Sequence, residues 1–330
     1  MINLKKIYFI FFLIIINYFL ITAIVFSFSY ISLIKGKTYD WFWVKSIQKK
    51  IYFEGIRNIW QFNKSCATFD QDLLYKPIIG KCSFNNPEFK TELNFKKYNR
   101  SHSNKVNNNN NDDDIIILGD SIAMGWGVND TETFSYLLEN ELKKNVYNLA
   151  VSSYGTVREI KRFKLSPFFN NSNTVIIQYH PNDLGENKEL IINKSYLSND
   201  FEKFFQQSHK SKSTLILGTF KSSLRLFFSD IIDIIFKEKN LEIIDFSEHR
   251  IYLEKILREN INLKKKRLIV FLSINPWQKV INFPKEKNEI EYLLINLKKE
   301  DYFIIDDHPN AKGHKHLSDF LKKYLISNSN

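Results

Sequence analysis

The chain has 330 residues, of which 44% are hydrophobic and 25% charged, and its formal net charge at pH 7 is +11. This length allows one large domain with a buried core beside an apolar N-terminal segment. The positive charge is spread along the chain, and no nucleic-acid-binding motif accompanies it. The composition therefore argues against a nucleic-acid partner and leaves a membrane surface or an acidic polymer as the counterpart of the lysines.

An uncharged apolar segment lies near the N-terminus: residues 7–34 contain no Asp, Glu, Lys or Arg. About 20 apolar residues span a bilayer, whereas the core of a cleaved signal peptide has roughly 7–15. No Ala-x-Ala-like cleavage site follows, and Trp41, Phe42 and Trp43 stand where an interfacial aromatic belt would lie. We therefore predict a single-pass transmembrane anchor over residues 1–34, with the membrane as a partner.

Two features give opposite indications of the side of the membrane on which the rest of the chain lies. Lys5 and Lys6 precede the apolar segment, whereas five lysines follow it within residues 35–50. A count of positive charge therefore favours the cytoplasm. Cys66 and Cys82 are the only cysteines and flank a short loop, a pattern typical of a disulfide in an oxidising compartment, although two unpaired thiols remain the alternative. We favour the exported, extracytoplasmic orientation.

Residues 35–113 are predicted to form an aromatic, irregular extension that ends in a polar tract. Residues 107–114 of this tract are all Asn or Asp. Such a composition cannot bury a core, so it predicts a flexible link. We expect a separate folded domain over residues 114–330.

In that domain, apolar strands alternate with amphipathic helices, which is typical of a mostly parallel sheet covered on both faces. The predicted strands are 115–118, 146–149, 174–179, 268–273 and 302–305. The predicted helices are 133–144, 157–165, 250–262, 285–299 and 311–326. Residues 224–236 also have a helical pattern and would form a lid or one wall of a substrate groove. The predicted fold is a three-layer α/β/α sandwich.

The run Gly119-Asp120-Ser121 places a serine just after the first predicted strand of this domain. Open α/β sheets bind their ligands at the carboxyl ends of strands. A serine hydroxyl needs an adjacent base, and histidine fits that role because its imidazole titrates near neutral pH. His308 is a candidate base, and a carboxylate beside it would orient the ring.

Four ordered segments resemble the signature blocks of the SGNH (GDSL-type) hydrolases. Gly119-Asp120-Ser121 resembles the nucleophile block, and residues 146–156 resemble the second block, with a strand end followed by Ser-Tyr-Gly-Thr. Asn182-Asp183 resembles the third block, and residues 306–314 resemble the last, in which a histidine precedes Pro-Asn-x-x-Gly-His. The resemblance covers residues 114–325 and implies an α/β/α serine hydrolase that cleaves esters through an acyl-enzyme, without a cofactor.

The resemblance also implies roles for single residues. Ser121 would be the nucleophile and His308 the base. The family's acid usually stands three residues before the histidine, a position that Ile305 holds here. We therefore prefer Asp306 as the acid and keep Asp307 as the alternative.

The oxyanion hole implied by the resemblance consists of the backbone N–H groups of Ser121 and Ser153 and the side-chain amide of Asn182. Ser153 stands where the family has a glycine, so a positive φ at this position would be strained. A metal site formed by Asp306, His308 and His314 is not expected, since their spacing matches no zinc pattern.

The substrate implied by the resemblance is a short acyl group, such as acetyl, on a cell-envelope polysaccharide. A lipid ester is the alternative, and transfer of the acyl group to a sugar hydroxyl would use the same residues. Because the second, third and last blocks depart from the family pattern, a catalytically inactive SGNH-fold binding or assembly module is a further hypothesis.

Overall fold

A computed structural model describes residues 4–100, 114–193, 241–262, 264–284 and 289–328. The predicted helix at 224–236 and most of the polar tract lie outside these residues. Within them, one helix is long and apolar enough to cross a membrane, and it covers the predicted anchor.

The N-terminal part of the chain contains two helices and two β-hairpins. The helices are α1 (Leu4–Ile34) and α2 (Phe42–Ile51), and α2 continues into one π-helical turn, Tyr52–Ile56. The first hairpin joins β1 (Ala67–Asp70) to β2 (Leu74–Pro77), and the second joins β3 (Gly80–Asn85) to β4 (Lys90–Phe95). The prediction of an irregular extension is therefore wrong for α2, its π-helical turn and the two hairpins. The domain boundaries themselves stay predictions.

In the rest of the described chain, strands and helices alternate as predicted up to the strand Arg267–Ile274. In chain order the elements are β5 (Ile115–Leu118), α3 (Ser121–Met124), α4 (Phe134–Leu142), β6 (Val146–Asn148), α5 (Thr156–Lys164), β7 (Thr174–Tyr179), α6 (Asp183–Asn193), β8 (Glu242–Asp245), α7 (Phe246–Asn260), β9 (Arg267–Ile274), β10 (Gln278–Ile281), β11 (Ile290–Asn296) and α8 (Ala311–Ser327).

Five of these strands form one parallel sheet in the order β11-β9-β7-β5-β6. The first strand, β5, lies between β6 and β7, with Ile117 opposite Asn148 on one side and Ile176 on the other. The chain therefore crosses to one side of β5 and then to the other. At such a reversal of strand order the connecting loops separate and leave a crevice at the carboxyl ends of the strands.

Helices cover both faces of the sheet, so the predicted three-layer α/β fold is confirmed. One face packs Ile115, Ile117 and Phe271 against Phe134 of α4 and Leu321 of α8. The opposite face packs alternate residues of the same strands against α5 and α7; the residues are Ile116, Leu118, Val270, Phe163 and Leu257. Because side chains alternate along a strand, one short apolar run supplies both layers of the core.

Two predicted elements are wrong. Residues 290–296, which were expected to lie in a helix over 285–299, form strand β11 at the edge of the sheet and pair with β9 over seven residues. The spacing of Ile290, Leu293 and Leu297 fits a helical period, but burial against both core layers at the sheet edge outweighs that local pattern. The predicted strand 302–305 is instead a loop with a single β-bridge, Tyr302 to Pro309.

A disulfide links the two N-terminal hairpins to each other, and Arg100 holds them against the domain. A disulfide joins Cys66 to Cys82 with their Cα atoms 5.2 Å apart, as we favoured from the sequence. Arg100 extends the second hairpin toward the sheet through bridges to Phe95 and Asn148. Its fully buried guanidinium also donates to the carbonyl oxygens of Met124 and Val128 at 2.6 and 2.7 Å. The hairpins therefore brace the segment that follows Ser121.

Helix α1 has two differently packed parts. Its first part is exposed along its length, apart from partly covered Tyr18, up to Ile21. In its second part Phe26 and Leu33 are buried in a cluster with Ile47 of α2, Tyr52 and Ile305. The apolar helix thus packs directly against a loop of the α/β domain.

Candidate active site

A close backbone approach positions Ser121 at the carboxyl edge of β5. Gly119 has φ +148°, and a Cβ there would lie 2.7 Å from the Cβ of Ala123 and 2.9 Å from the side chain of Gln178. The Asp120 carboxylate accepts the N–H of Ile122 at 2.8 Å and so caps α3. Only glycine fits position 119, because any side chain there would clash with Ala123 and Gln178. The turn it forms places Ser121 at the start of α3, beside the crevice.

Three side chains that the sequence analysis selected form one hydrogen-bonded chain. The Oγ atom of Ser121 lies 2.7 Å from Nε2 of His308. The other ring nitrogen of His308, Nδ1, is hydrogen-bonded to Oδ1 of Asp306. Asp307 instead lies at the surface and binds Nζ of Lys49 at 2.6 Å. Of the two candidate carboxylates, the structure therefore brings Asp306 to the histidine.

The burial of Ile305 explains why the carboxylate beside His308 comes from the next residue, Asp306. Ile305 is fully buried in the cluster that Phe26, Leu33 and Tyr52 form with α2. A carboxylate at that position would lose its hydration in an apolar core. The next residue, Asp306, faces the imidazole instead.

Asp306 is buried among donors that keep its carboxylate charged. Its Oδ2 atom accepts the hydroxyl of Tyr52 at 2.6 Å and the indole N–H of Trp126 at 3.1 Å, and Nε of Arg57 lies 3.5 Å away. Burial by itself would raise the pKa of Asp306, but His308, Arg57 and Tyr52 together hold that pKa well below its usual value.

Glu88 fixes the loop that carries this acid. Its carboxylate accepts the backbone N–H groups of Ile304, Ile305 and Asp306 at 2.7, 2.9 and 2.8 Å. Burial raises the pKa of Glu88, and these three hydrogen bonds oppose that rise. The loop backbone is thereby satisfied by a residue from the turn between β3 and β4.

The three expected oxyanion donors lie around one cavity of about 280 Å³, whose lining includes Ser121, Ser153, Asn182 and His308. Within the described part of the chain, neither the two backbone N–H groups nor the Asn182 side-chain amide donates a hydrogen bond to the protein. Nδ1 of His180 accepts the backbone N–H of Asn182 at 3.3 Å and so restrains the loop after β7. The described part of the protein therefore leaves these three groups unengaged beside the cavity.

Ser153 has φ +59°, the left-handed conformation in which a side chain is strained. Neighbouring contacts hold it there: Arg158 donates to its carbonyl oxygen, and Nε2 of Gln61 donates to its hydroxyl at 3.2 Å. Tyr75 donates to the preceding carbonyl oxygen, that of Ser152, at 2.7 Å. Tyr75 lies in β2 and Gln61 precedes the first hairpin, so the N-terminal part of the chain shapes this side of the cavity as well.

Sequence reasoning missed four residues of the site: Tyr52, Arg57, Glu88 and Trp126. Trp126 carried a usable signal, because it stands between two glycines one turn after Ser121. His314, also considered from the sequence, lies outside the site. Its ring is fully buried, its Nδ1 accepts the N–H of Phe134 at 3.3 Å, and burial lowers its pKa to about 3.

No protein-family model and no curated protein sequence matches this chain. Among solved structures it is similar to a lipolytic protein of the G-D-S-L family from Desulfitobacterium hafniense, with 14% identity and a TM-score of 0.32, over 64% of this chain and 99% of that one. A G-D-S-L-family lipolytic protein from Veillonella parvula gives 13% identity and a TM-score of 0.28, over 65% and 98% of the two chains.

A further similar structure is an active-site mutant of a family two carbohydrate esterase from Clostridium thermocellum, with 11% identity and a TM-score of 0.32, over 65% of this chain and 63% of that one. These likenesses are distant and do not identify an activity. In its α/β architecture, with a parallel five-stranded sheet between two helix layers, the chain agrees with what the SGNH resemblance implies.

Proposed function

We propose that this protein is a membrane-anchored serine esterase. The observation that carries the proposal is the hydrogen-bonded chain from Ser121 through His308 to Asp306 beside an open cavity. A nucleophile, a base and an orienting carboxylate in this order are the parts that acyl transfer requires. They come from the carboxyl edge of a parallel sheet, where such folds bind ligands.

In the proposed reaction, Oγ of Ser121 attacks the ester carbonyl while Nε2 of His308 takes the hydroxyl proton. Asp306 stabilises the imidazolium that results. The carbonyl oxygen becomes an oxyanion that the N–H groups of Ser121 and Ser153 and the amide of Asn182 bind. His308 then protonates the departing alcohol, and the acyl group stays on Ser121 as an ester.

Water completes the cycle by the same steps in reverse order. His308 takes a proton from the water, the resulting hydroxide attacks the acyl carbon, and Ser121 leaves with the proton that His308 returns. A sugar hydroxyl in place of water would make the enzyme an acyltransferase. Both outcomes need the same protein groups.

The proposed substrate is a short acyl ester on a cell-envelope polysaccharide. The cavity of about 280 Å³ accommodates a small acyl group, and Gln61, His180 and Asn182 in its lining offer polar partners for a carbohydrate. A lipid ester is the competing substrate class, favoured by the apolar helix that packs beside the site.

We propose further that α1 anchors the chain in a membrane and that the domain lies outside the cytoplasm. The length and hydropathy of α1 support the anchor. The Cys66–Cys82 disulfide supports an oxidising compartment, against the count of positive charge.

Labelling the full chain in detergent with a fluorophosphonate, and measuring hydrolysis of p-nitrophenyl acetate, tests the activity. Ser121→Ala should abolish both, whereas Ser83→Ala, at an exposed serine of β3, should change neither. A wild-type chain that neither labels nor hydrolyses would favour the inactive binding module. Labelling that persists in Ser121→Ala would show that Ser121 is not the nucleophile.

A matched pair of substitutions tests the acid. Asp306→Asn should lower kcat by up to ~10⁴-fold, the loss known for an orienting acid. Asp307 also lines the cavity but binds Lys49 instead of His308, so Asp307→Asn should lower kcat far less. Small, equal effects would mean that the acid is not Asp306.

A further inference from the structure

We propose that Tyr52, on the segment directly after α2, is a positioning residue for Asp306 and that it adjusts how strongly this carboxylate acts on His308. The proposal rests on the esterase function proposed above. It assigns part of the site to a segment that lies outside all four SGNH-like sequence blocks.

The geometry around Oδ2 of Asp306 carries the inference. Oδ1 faces His308, and Oδ2 accepts the Tyr52 hydroxyl at 2.6 Å. Tyr52 is completely buried. A buried hydroxyl with a charged acceptor forms a strong hydrogen bond, because no water competes for either group. Tyr52 therefore fixes the carboxylate plane that presents Oδ1 to the imidazole.

The π-helical turn is what brings both Tyr52 and Arg57 to Asp306. An α-helix has 3.6 residues per turn, so residues five apart lie on different faces. Here the N–H of Arg57 instead bonds the carbonyl oxygen of Tyr52 at 2.9 Å, five residues back, which widens the turn and brings these residues to one side. Single π turns of this kind are frequent at functional sites.

Arg57 is held by aromatic rings more than by a direct ion pair. Its guanidinium lies 4.9 Å from the ring centre of Phe53 and 5.5 Å from that of Trp126, and it lines the cavity. Its Nε is 3.5 Å from Asp306, beyond a good hydrogen bond. Tyr52 is thus the closest donor to Oδ2, and Arg57 adds positive charge nearby.

The charges around Asp306 predict how loss of the Tyr52 hydroxyl changes the pH dependence of catalysis. The charged and titratable groups facing it are His308, Tyr52 and Arg57, with the Glu88 carboxylate behind the loop. A bond from Tyr52 draws electron density from the carboxylate. Without it, more of the negative charge is available to stabilise a charged His308 ring. The base would then stay protonated up to a higher pH, so the acid limb of the pH–rate profile would move to higher pH.

The experiment compares Tyr52→Phe with Tyr147→Phe in the full chain in detergent. Tyr147 is a half-buried tyrosine of β6 that stacks on Phe168 outside the cavity lining, so it controls for loss of a tyrosine hydroxyl elsewhere. The measurements are kcat and KM for p-nitrophenyl acetate, and the rate of fluorophosphonate labelling, as functions of pH. Thermal unfolding is followed in parallel.

For Tyr52→Phe we expect kcat to fall about tenfold with KM unchanged, the size of effect that loss of one hydrogen bond to a charged group produces. The acid limb should move to higher pH, while Tyr147→Phe should match the wild-type profile. A purely structural role would lower the amount of folded enzyme without moving that limb. An unchanged kcat and an unmoved limb would overturn the proposal.

Arg57→Gln provides a second, independent variant if Tyr52→Phe does not fold. The Arg57 side chain is about one-fifth exposed, and glutamine keeps part of its length while removing its charge. It should move the acid limb in the same direction, because it also removes stabilisation of the Asp306 charge. A limb that stays in place would overturn the proposal by this route as well. A wild-type chain with no labelling and no hydrolysis would instead refute the esterase function itself.

Discussion

The carboxylate of Glu88 accepts the backbone N–H of Asp306 at 2.8 Å, although the two residues are 218 positions apart in the sequence. Glu88 comes from the turn of the β3–β4 hairpin, and Asp306 from the loop before α8. The hairpin therefore sets the backbone of the loop that carries the proposed acid and base.

Glu88→Gln should weaken the hydrogen bonds between the hairpin and the loop that carries Asp306, without leaving a cavity. A glutamine retains one acceptor oxygen, but its NH₂ group faces a backbone donor that Glu88 now satisfies. A buried donor left unpaired costs about 1–3 kcal/mol. We expect a lower Tm and a roughly tenfold lower kcat for p-nitrophenyl acetate.

Glu92→Gln, at an exposed residue of β4 paired with Lys81, is the matched control and should alter neither quantity. A Glu88→Gln enzyme with wild-type kcat would show that the loop keeps its geometry without the hairpin.

Substitutions can test the proposed oxyanion donors one at a time. Asn182→Ala removes a side-chain donor and should lower kcat by ~10²–10³-fold. Ser153→Gly keeps the backbone N–H and relieves the strain of φ +59°, so kcat should persist and Tm should rise slightly. Steady-state kinetics and thermal unfolding of both variants check this. If Ser153→Gly loses activity as Asn182→Ala does, the Ser153 hydroxyl itself takes part.

Much of the site could be predicted because its residues stand at strand ends. The buried apolar strand and Gly119-Asp120-Ser121 are adjacent in the sequence, so the sequence alone predicts a serine at a strand end. Parallel strands bring their carboxyl ends to one edge of the sheet. The loop around Asp306 follows no such rule. Its conformation depends on Glu88 and on the burial of Ile305 against α1, contacts between distant segments that no local pattern contains.

Strand β11 illustrates the same limit for the fold. Ile290, Leu293 and Leu297 follow a helical spacing. The segment forms a strand because it pairs with β9, a separate segment of the chain. The residues near Asp306 that precede the α/β domain, Tyr52 and Arg57, gave no signal at all. Their role follows from where α2 ends, which the packing of α1 and α2 determines.

Helix α1 should contribute to the stability of the domain as well as to anchoring. Leu33 is 1% exposed and packs with Ile47 and Ile305, whereas its neighbour Ile34 is 63% exposed. Leu33→Ala should therefore cost about 2–5 kcal/mol and speed thermal inactivation in detergent. Ile34→Ala removes a similar volume from the outer face and should have little effect. Equal effects of the two variants would contradict packing of α1 on the domain.

The disulfide should support both the hairpins and the activity. Cys66 and Cys82 are 16 positions apart, a loop for which the chain-entropy estimate is roughly 3 kcal/mol of stabilisation. Cys82 lies in β3, the strand that precedes the Glu88 turn. Reduction should therefore lower Tm and kcat together. A Cys66→Ser, Cys82→Ser double variant should have the same lowered values and no further response to reductant.

The same bond tests the compartment. In membrane fractions from expressing cells, a thiol-reactive reagent should label the two cysteines only after reduction, because a cytoplasmic domain would keep them as thiols. A C-terminal alkaline phosphatase fusion, which is active only outside the cytoplasm, should be active. Full labelling without reductant together with an inactive fusion would place the domain in the cytoplasm, as the lysines after α1 indicate. A cell-envelope polysaccharide could then not be the substrate, whereas the proposed chemistry of Ser121 would stand.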